Sequence, residues 1–99
     1  MKIFISQPMN GKTDEQIKME RDKVALKLLQ QYGENIEILD TIFDLGEYTH
    51  PLVYLGKSIE VLSQADLAYF MEGWDKARGC IAEYFCATRY GIKTEQEVE

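Results

Sequence analysis

The segment Gly73-Trp74-Asp75-Lys76-Ala77-Arg78-Gly79-Cys80-Ile81-Ala82-Glu83 brings together two carboxylates, a guanidinium, an indole and two glycines. Gly79 and Glu83 are one helical turn apart, and helical side chains lean towards the N-terminus. On a helix, the Glu83 carboxylate therefore reaches over a residue with no side chain, leaving a notch where a ligand can approach a carboxylate. Glycine inside a helix costs about 1 kcal/mol relative to alanine, a cost easier to understand if something must come close there. The plainer account is a solvated flanking glutamate and a glycine that admits a neighbouring helix. Trp74, the only tryptophan, either stacks on a ligand's ring at the mouth of a sheet or caps the end of the core. Arg78 either holds a phosphate or carboxylate or makes a surface pair of little energetic worth.

The second constellation is Ser6-Gln7-Pro8-Met9-Asn10-Gly11-Lys12-Thr13. Between a strand and a helix, such a loop offers free N–H groups and the positive end of the helix dipole to an anion or a sugar. Gly11-Lys12-Thr13 matches the end of a nucleotide phosphate loop. Ser6, however, stands where that pattern requires glycine, and Pro8 removes a donor. An Asn-Gly turn followed by a capped helix accounts for the same residues without a ligand. Cys80 and Cys86 would be separated by ~9 Å along a helix, too far to bridge, so both are expected as free thiols. There is no Cys-x-x-Cys pair and only one histidine, His50, so neither a metal site nor a cofactor is expected. His50 precedes Pro51 and reads as a turn or helix-cap residue.

These residues must be positioned by a chain of 99 residues, 45% hydrophobic, with 17 acidic and 11 basic side chains and a formal charge of -6. That length supports one domain, residues 1–99, burying only about two-thirds of its exposable surface; self-association would help it. The acidic balance argues against a nucleic-acid polymer, whose binding draws on clustered Lys and Arg. No apolar run approaches the ~20 residues that span a bilayer, and the start is too short for a signal-peptide core. The expectation is a cytoplasmic protein with a small-molecule partner and no membrane contact.

Lys2-Ile3-Phe4-Ile5-Ser6 reads as a strand entering a loop. A helix follows, with Thr13 and Gln16 as a capping box, Ile17, Val24, Ala25, Leu28, Leu29 and Tyr32 on its apolar face, and Gly33 as its stop. Residues 36–39 form a second strand, and 41–50 show no period and read as a loop. Pro51 opens a second helix with Leu52, Leu55, Ile59 and Leu62 in one stripe. Residues 66–71 form a third strand, apolar enough to be covered on both faces. A last helix runs from about 76 to 90, with a small edge strand at 92–94 and a frayed acidic tail at 95–99. Strands alternating with helices predict a parallel α/β sheet with right-handed crossovers; if the second strand lies on one side of the first and the third on the other, the three-layer sandwich has the order 2-1-3-4. Ligands then bind at the carboxyl ends of the strands, at the loops after strands one and three.

Three stretches together carry a family resemblance: Ile3-Phe4-Ile5-Ser6-x-Pro8-Met9-Asn10-Gly11; Leu55-Gly56-Lys57-Ser58-Ile59 with Ala65-Asp66-Leu67; and Gly73-Trp74 leading to Arg78-Gly79-Cys80, Glu83, Ala87 and Tyr90-Gly91-Ile92. The pattern resembles a small, phage-associated family of unknown function, which in turn is similar to the nucleoside 2-deoxyribosyltransferase superfamily. The resemblance implies a flavodoxin-like fold and homo-oligomers whose sites a neighbouring subunit completes. It implies Glu83 as the nucleophile at the anomeric carbon of a deoxynucleoside, with the deoxyribosyl-enzyme intercepted by another base or by water. Met9 to Thr13 would line the sugar and, for nucleotides, the 5′-phosphate.

The chain departs from that pattern at three places. Phe4 stands for a tyrosine that positions the nucleophile, Ser58 for an aspartate that assists base departure, and Ala77 for a further aspartate. Asp75 is then the nearest acid to help the base leave. Asp66 starts its strand at the end facing away from the crevice and reads as structural. The expectation is a nucleoside- or nucleotide-binding protein that cleaves or exchanges an N-glycosidic bond through Glu83. The alternatives are a nucleotide-sensing or assembly module that keeps the pocket without the chemistry, and a protein-interaction module using the outer side of the last helix, including Cys86.

Overall fold

The computed structural model describes residues 1–98. Its elements are β1 (Lys2–Ser6), α1 (Asp14–Tyr32), β2 (Glu37–Ile38), α2 (Pro51–Leu62), β3 (Leu67–Phe70), a 3₁₀ turn (Trp74–Lys76), α3 (Arg78–Arg89) and β4 (Lys93–Gln96). All strand pairs are parallel, and the order is β2-β1-β3-β4. This is the expected α/β topology, arranged as in flavodoxin-like folds.

Strand alternation divides the core into two layers. Ile3, Ile5, Leu67, Tyr69 and Met71 face α1 and pack on Val24 and Leu28. Phe4, Ala68 and Phe70 face the other way, onto Leu62 of α2 and Ala87 of α3. Because β1 and β3 are covered on both faces, their sequences are continuously apolar rather than alternating. Thr13 and Gln16 form the capping box of α1, and Gly33, at φ 87, ends it.

Several boundaries differ from the sequence expectation. β2 pairs over two residues only. α3 begins at Arg78, because Gly73 takes a left-handed conformation (φ 88) and the chain turns through Trp74–Lys76 before the helix starts. Gly79 is therefore in the first turn of α3, not in the middle of the helix. The tail is not frayed up to residue 97. β4 extends to Gln96, Glu95 accepts hydrogen bonds from Tyr32 and Gln31, and Glu97 N–H donates to the carbonyl of Phe70. Glu99 lies outside the described residues. Leu52 is 66% exposed although it stands on the apolar stripe of α2, because the first turn of α2 overhangs a cavity rather than the core.

Candidate functional site

A cavity of about 1030 Å³ lies over the carboxyl ends of the central strands, where the strand order reverses. One wall is the loop after β1, Gln7 to Asn10. A second part of the lining comes from the segment between β2 and α2 and from α2 itself, with Phe43, His50, Tyr54, Leu55 and Ser58. The start of α3, from Ala77 to Cys80, forms the third side, and Glu83 also lines the cavity.

Glu83 is 8% exposed, on the inward face of α3. Ser6, the last residue of β1, donates from Oγ to Glu83 Oε1 at 2.6 Å. Burial pushes the Glu83 carboxyl above the usual carboxylate range, while the hydroxyls of Ser6 and Ser58 pull it back towards the ionised form. The carboxylate is thus held between hydroxyls from the end of β1 and from α2 at the edge of the cavity. Cys80, one turn earlier, is buried beside them. Burial raises its thiol to about 11, so it is a neutral thiol and not a nucleophile at neutral pH.

The N-cap of α3 is Ala77, which makes no side-chain cap bond. The N–H groups of the first turn have no partner within the helix, so those at the start of α3 are left to water or to whatever enters the cavity. A Cβ built on Gly79 meets no atom within 4 Å; the notch expected from the sequence exists, at the helix start. Lys76 and Arg78 line the same end and add positive charge to the helix dipole.

The N-terminus of α1 is arranged differently. Its capping box is closed, and Lys12 Nζ pairs with Glu20 at 3.0 Å. Gly11 and Lys12 line a separate hollow of about 370 Å³ with Gln16, Met19, Glu20 and Lys23. The turn-plus-cap account therefore fits residues 10–16, while Gln7, Pro8, Met9 and Asn10 line the main cavity. Trp74 stacks on Tyr84 with ring centroids 4.4 Å apart and leans on Phe70, so it caps the core and does not line the cavity. Asp75 is exposed in the 3₁₀ turn, also outside the lining. Ser6 acts on Glu83 rather than forming cavity wall.

Sequence reasoning missed the aromatic wall. Phe43 sits in a stretch without periodicity, and Tyr54, whose hydroxyl donates to Gly46 O at 3.3 Å, belongs to α2. The usable signal was an aromatic in a loop with no strand or helix to serve. His50 caps α2, with Nδ1 accepting from Leu52 N–H at 3.1 Å. The neutral ring then carries its proton on Nε2. Among the described residues, no group of three or more His, Cys, Asp or Glu is placed to hold a metal ion, and no helix is long and apolar enough to cross a membrane.

Residues 1–95 match the model of a protein family described as a domain of unknown function, DUF4406. The comparison with curated proteins found no match.

Proposed function

Since the chain belongs to the DUF4406 family, whose description assigns no activity, we propose from the site itself that it binds a nucleoside or nucleotide and breaks or exchanges the N-glycosidic bond, with Glu83 as nucleophile. The observation that carries this reading is the buried Glu83 carboxylate, one oxygen held by Ser6, lining a cavity of about 1030 Å³ that has ample room for a nucleotide. The role of Glu83 is the one that the resemblance to deoxyribosyltransferases implies. Phe43 and Tyr54 offer aromatic surface to the base. Lys76, Arg78 and the open first turn of α3 favour an anionic group, so nucleoside monophosphates belong among the ligands.

In this mechanism Glu83 Oε2 attacks C1′ from the face opposite the base. The C1′–N bond breaks, and its electron pair stays with the base nitrogen, which takes a proton from water. The Nε2–H of His50 donates a hydrogen bond to the departing base. The resulting glycosyl ester on Glu83 is opened at C1′ by water or by a second base, whose proton neutralises the hydroxide left by the first half, and the carboxylate is regenerated. A second copy of the chain, as the resemblance implies, covers the exposed Leu52 at the cavity mouth.

The test is incubation with the four common 2′-deoxynucleosides and their 5′-monophosphates, following free base by chromatography. No base release or exchange, together with an unchanged melting temperature, would sink the proposal. One observation favours a second reading: Glu83 is the only carboxylate among the described residues lining the cavity, whereas glycosidic cleavage normally uses a second carboxyl group as the acid. A nucleotide-sensing module would show a raised melting temperature without turnover.

A further inference from the structure

We propose that the bond cleaved at this site joins the sugar to a cationic pyridinium ring, as in a nicotinamide nucleotide, because such a ring leaves without taking up a proton. The assignment rests on the glycosidic reading of Glu83 and adds the class of leaving group. It starts from a shortage of acids. Glu83 is the only carboxylate among the described residues lining the cavity, and Asp75 is exposed outside the lining. A base such as adenine or uracil leaves as an anion unless an acid protonates it, and a positioned acid is worth roughly a hundred- to ten-thousandfold in rate. The other polar groups of the lining do not replace that acid. His50 accepts the N–H of Leu52 on Nδ1, so its ring is neutral while it caps α2, and the Nε2–H of a neutral imidazole offers a hydrogen bond rather than a proton. The Tyr54 hydroxyl donates to the carbonyl of Gly46 at 3.3 Å. Burial raises the Cys80 thiol to about 11, and the hydroxyls of Ser6 and Ser58 are turned to Glu83.

The charges that are present suit a pyridinium nucleotide instead. The one carboxylate of the cavity attracts a cationic ring attached to the carbon it attacks. Phe43 and Tyr54 add aromatic surface, which draws a cationic ring beyond its apolar contact. The exposed cations Lys76 and Arg78 belong to the same lining and meet the charge of a 5′-phosphate. In the first step the Glu83 carboxylate forms a bond to C1′ as the C1′–N bond breaks. The electron pair of the broken bond stays on the ring nitrogen and cancels its charge, so the pyridine leaves neutral. Water then opens the glycosyl ester at C1′, releasing one proton and returning the carboxylate.

The experiment incubates the full chain with nicotinamide mononucleotide, nicotinamide adenine dinucleotide, and the common ribonucleoside and 2′-deoxyribonucleoside 5′-monophosphates, following each free base by chromatography. The ribonucleoside monophosphates share sugar and phosphate with nicotinamide mononucleotide and differ in the ring alone. The expected result is a kcat/KM at least about a hundredfold higher for one of the pyridinium probes than for any ordinary nucleotide, lost in Glu83→Gln. The faster of the two pyridinium probes identifies a mononucleotide or a dinucleotide as the ligand. The pH profile reads the same chemistry: nicotinamide release rises as Glu83 ionises and then stays level, with no falling limb from an acid that loses its proton. A smaller preference, release of ordinary bases without nicotinamide, or a bell-shaped profile for nicotinamide release would overturn the assignment and leave Glu83 as a glycosidic nucleophile. No release of any base, or release that survives Glu83→Gln, would overturn the glycosidic reading and the assignment together.

Discussion

Ser6 and Glu83, 77 positions apart in the chain, are joined by a 2.6 Å hydrogen bond from the serine hydroxyl to Oε1 of the carboxylate. The end of a central strand thereby holds a buried side chain of the last helix. Phe4, two residues earlier on β1, points to the same layer but packs in the core, so the hydroxyl reaches the carboxylate from one pleat further along the strand.

Replacing Ser6 with alanine removes a donor that favours the ionised carboxylate. Burial already holds Glu83 above the usual carboxylate range, so Ser6→Ala should move its titration further up. Isotope-detected titration of the glutamate side chains reads this directly. If the protein is an enzyme, the acidic limb of its pH–rate profile moves the same way. The lost charge-assisted bond should cost about 1.5–3 kcal/mol of stability at neutral pH.

Glu83→Gln should abolish base release, a loss of roughly a thousandfold or more, and should nevertheless stabilise the fold at neutral pH. The sign follows from the upward direction of the Glu83 shift. The neutral carboxyl's contribution is fully present below the ordinary glutamate value and is lost as pH rises through the higher folded-state value. Melting temperatures of the two proteins should therefore converge at low pH and separate at neutral pH, with the variant higher. A variant less stable at neutral pH would contradict this.

Gly79→Ala should raise stability by up to about 1 kcal/mol, because alanine is the better helix former and its Cβ enters open space. The same methyl group narrows the mouth of the cavity beside Glu83, so nucleoside affinity should fall. Denaturant unfolding and calorimetric titration of one protein sample give the two effects with opposite signs.

His50→Ala removes the N-cap of α2 and should cost about 1 kcal/mol. His50→Asn keeps a capping side chain and should restore that stability. Neither variant has a ring N–H for the departing base, so both should release base about tenfold more slowly. Urea midpoints separate the variants, and initial rates group them together.

Much of the fold could be read from the chain because it rests on local signals. Thr13 and Gln16 announced the start of α1, Gly33 its end, and Pro51 the start of α2; the unbroken apolar run of β3 indicated cover on both faces. Alternation of strands and helices then led to a parallel sheet, and the order β2-β1-β3-β4 holds because β2 and β3 lie on opposite sides of β1. The start of α3 was misplaced because residues 74–76 satisfy helical spacing equally well as a 3₁₀ turn, and the positive φ of Gly73 that separates the two leaves no periodic trace.

The site divides along the same line. By itself the sequence determined that Glu83 stands one turn after a glycine and that the loops after strands one and three carry the unusual residues, since both follow from spacing and strand order. Only the tertiary structure decided that Ser6 belongs to Glu83, that Trp74 belongs to the core, that Lys12 is paired with Glu20, and that an aperiodic loop and α2 supply Phe43 and Tyr54 as a wall. Those partnerships join residues from different elements. Their distances are set by how helices pack on the sheet, which no repeat or spacing within one segment encodes.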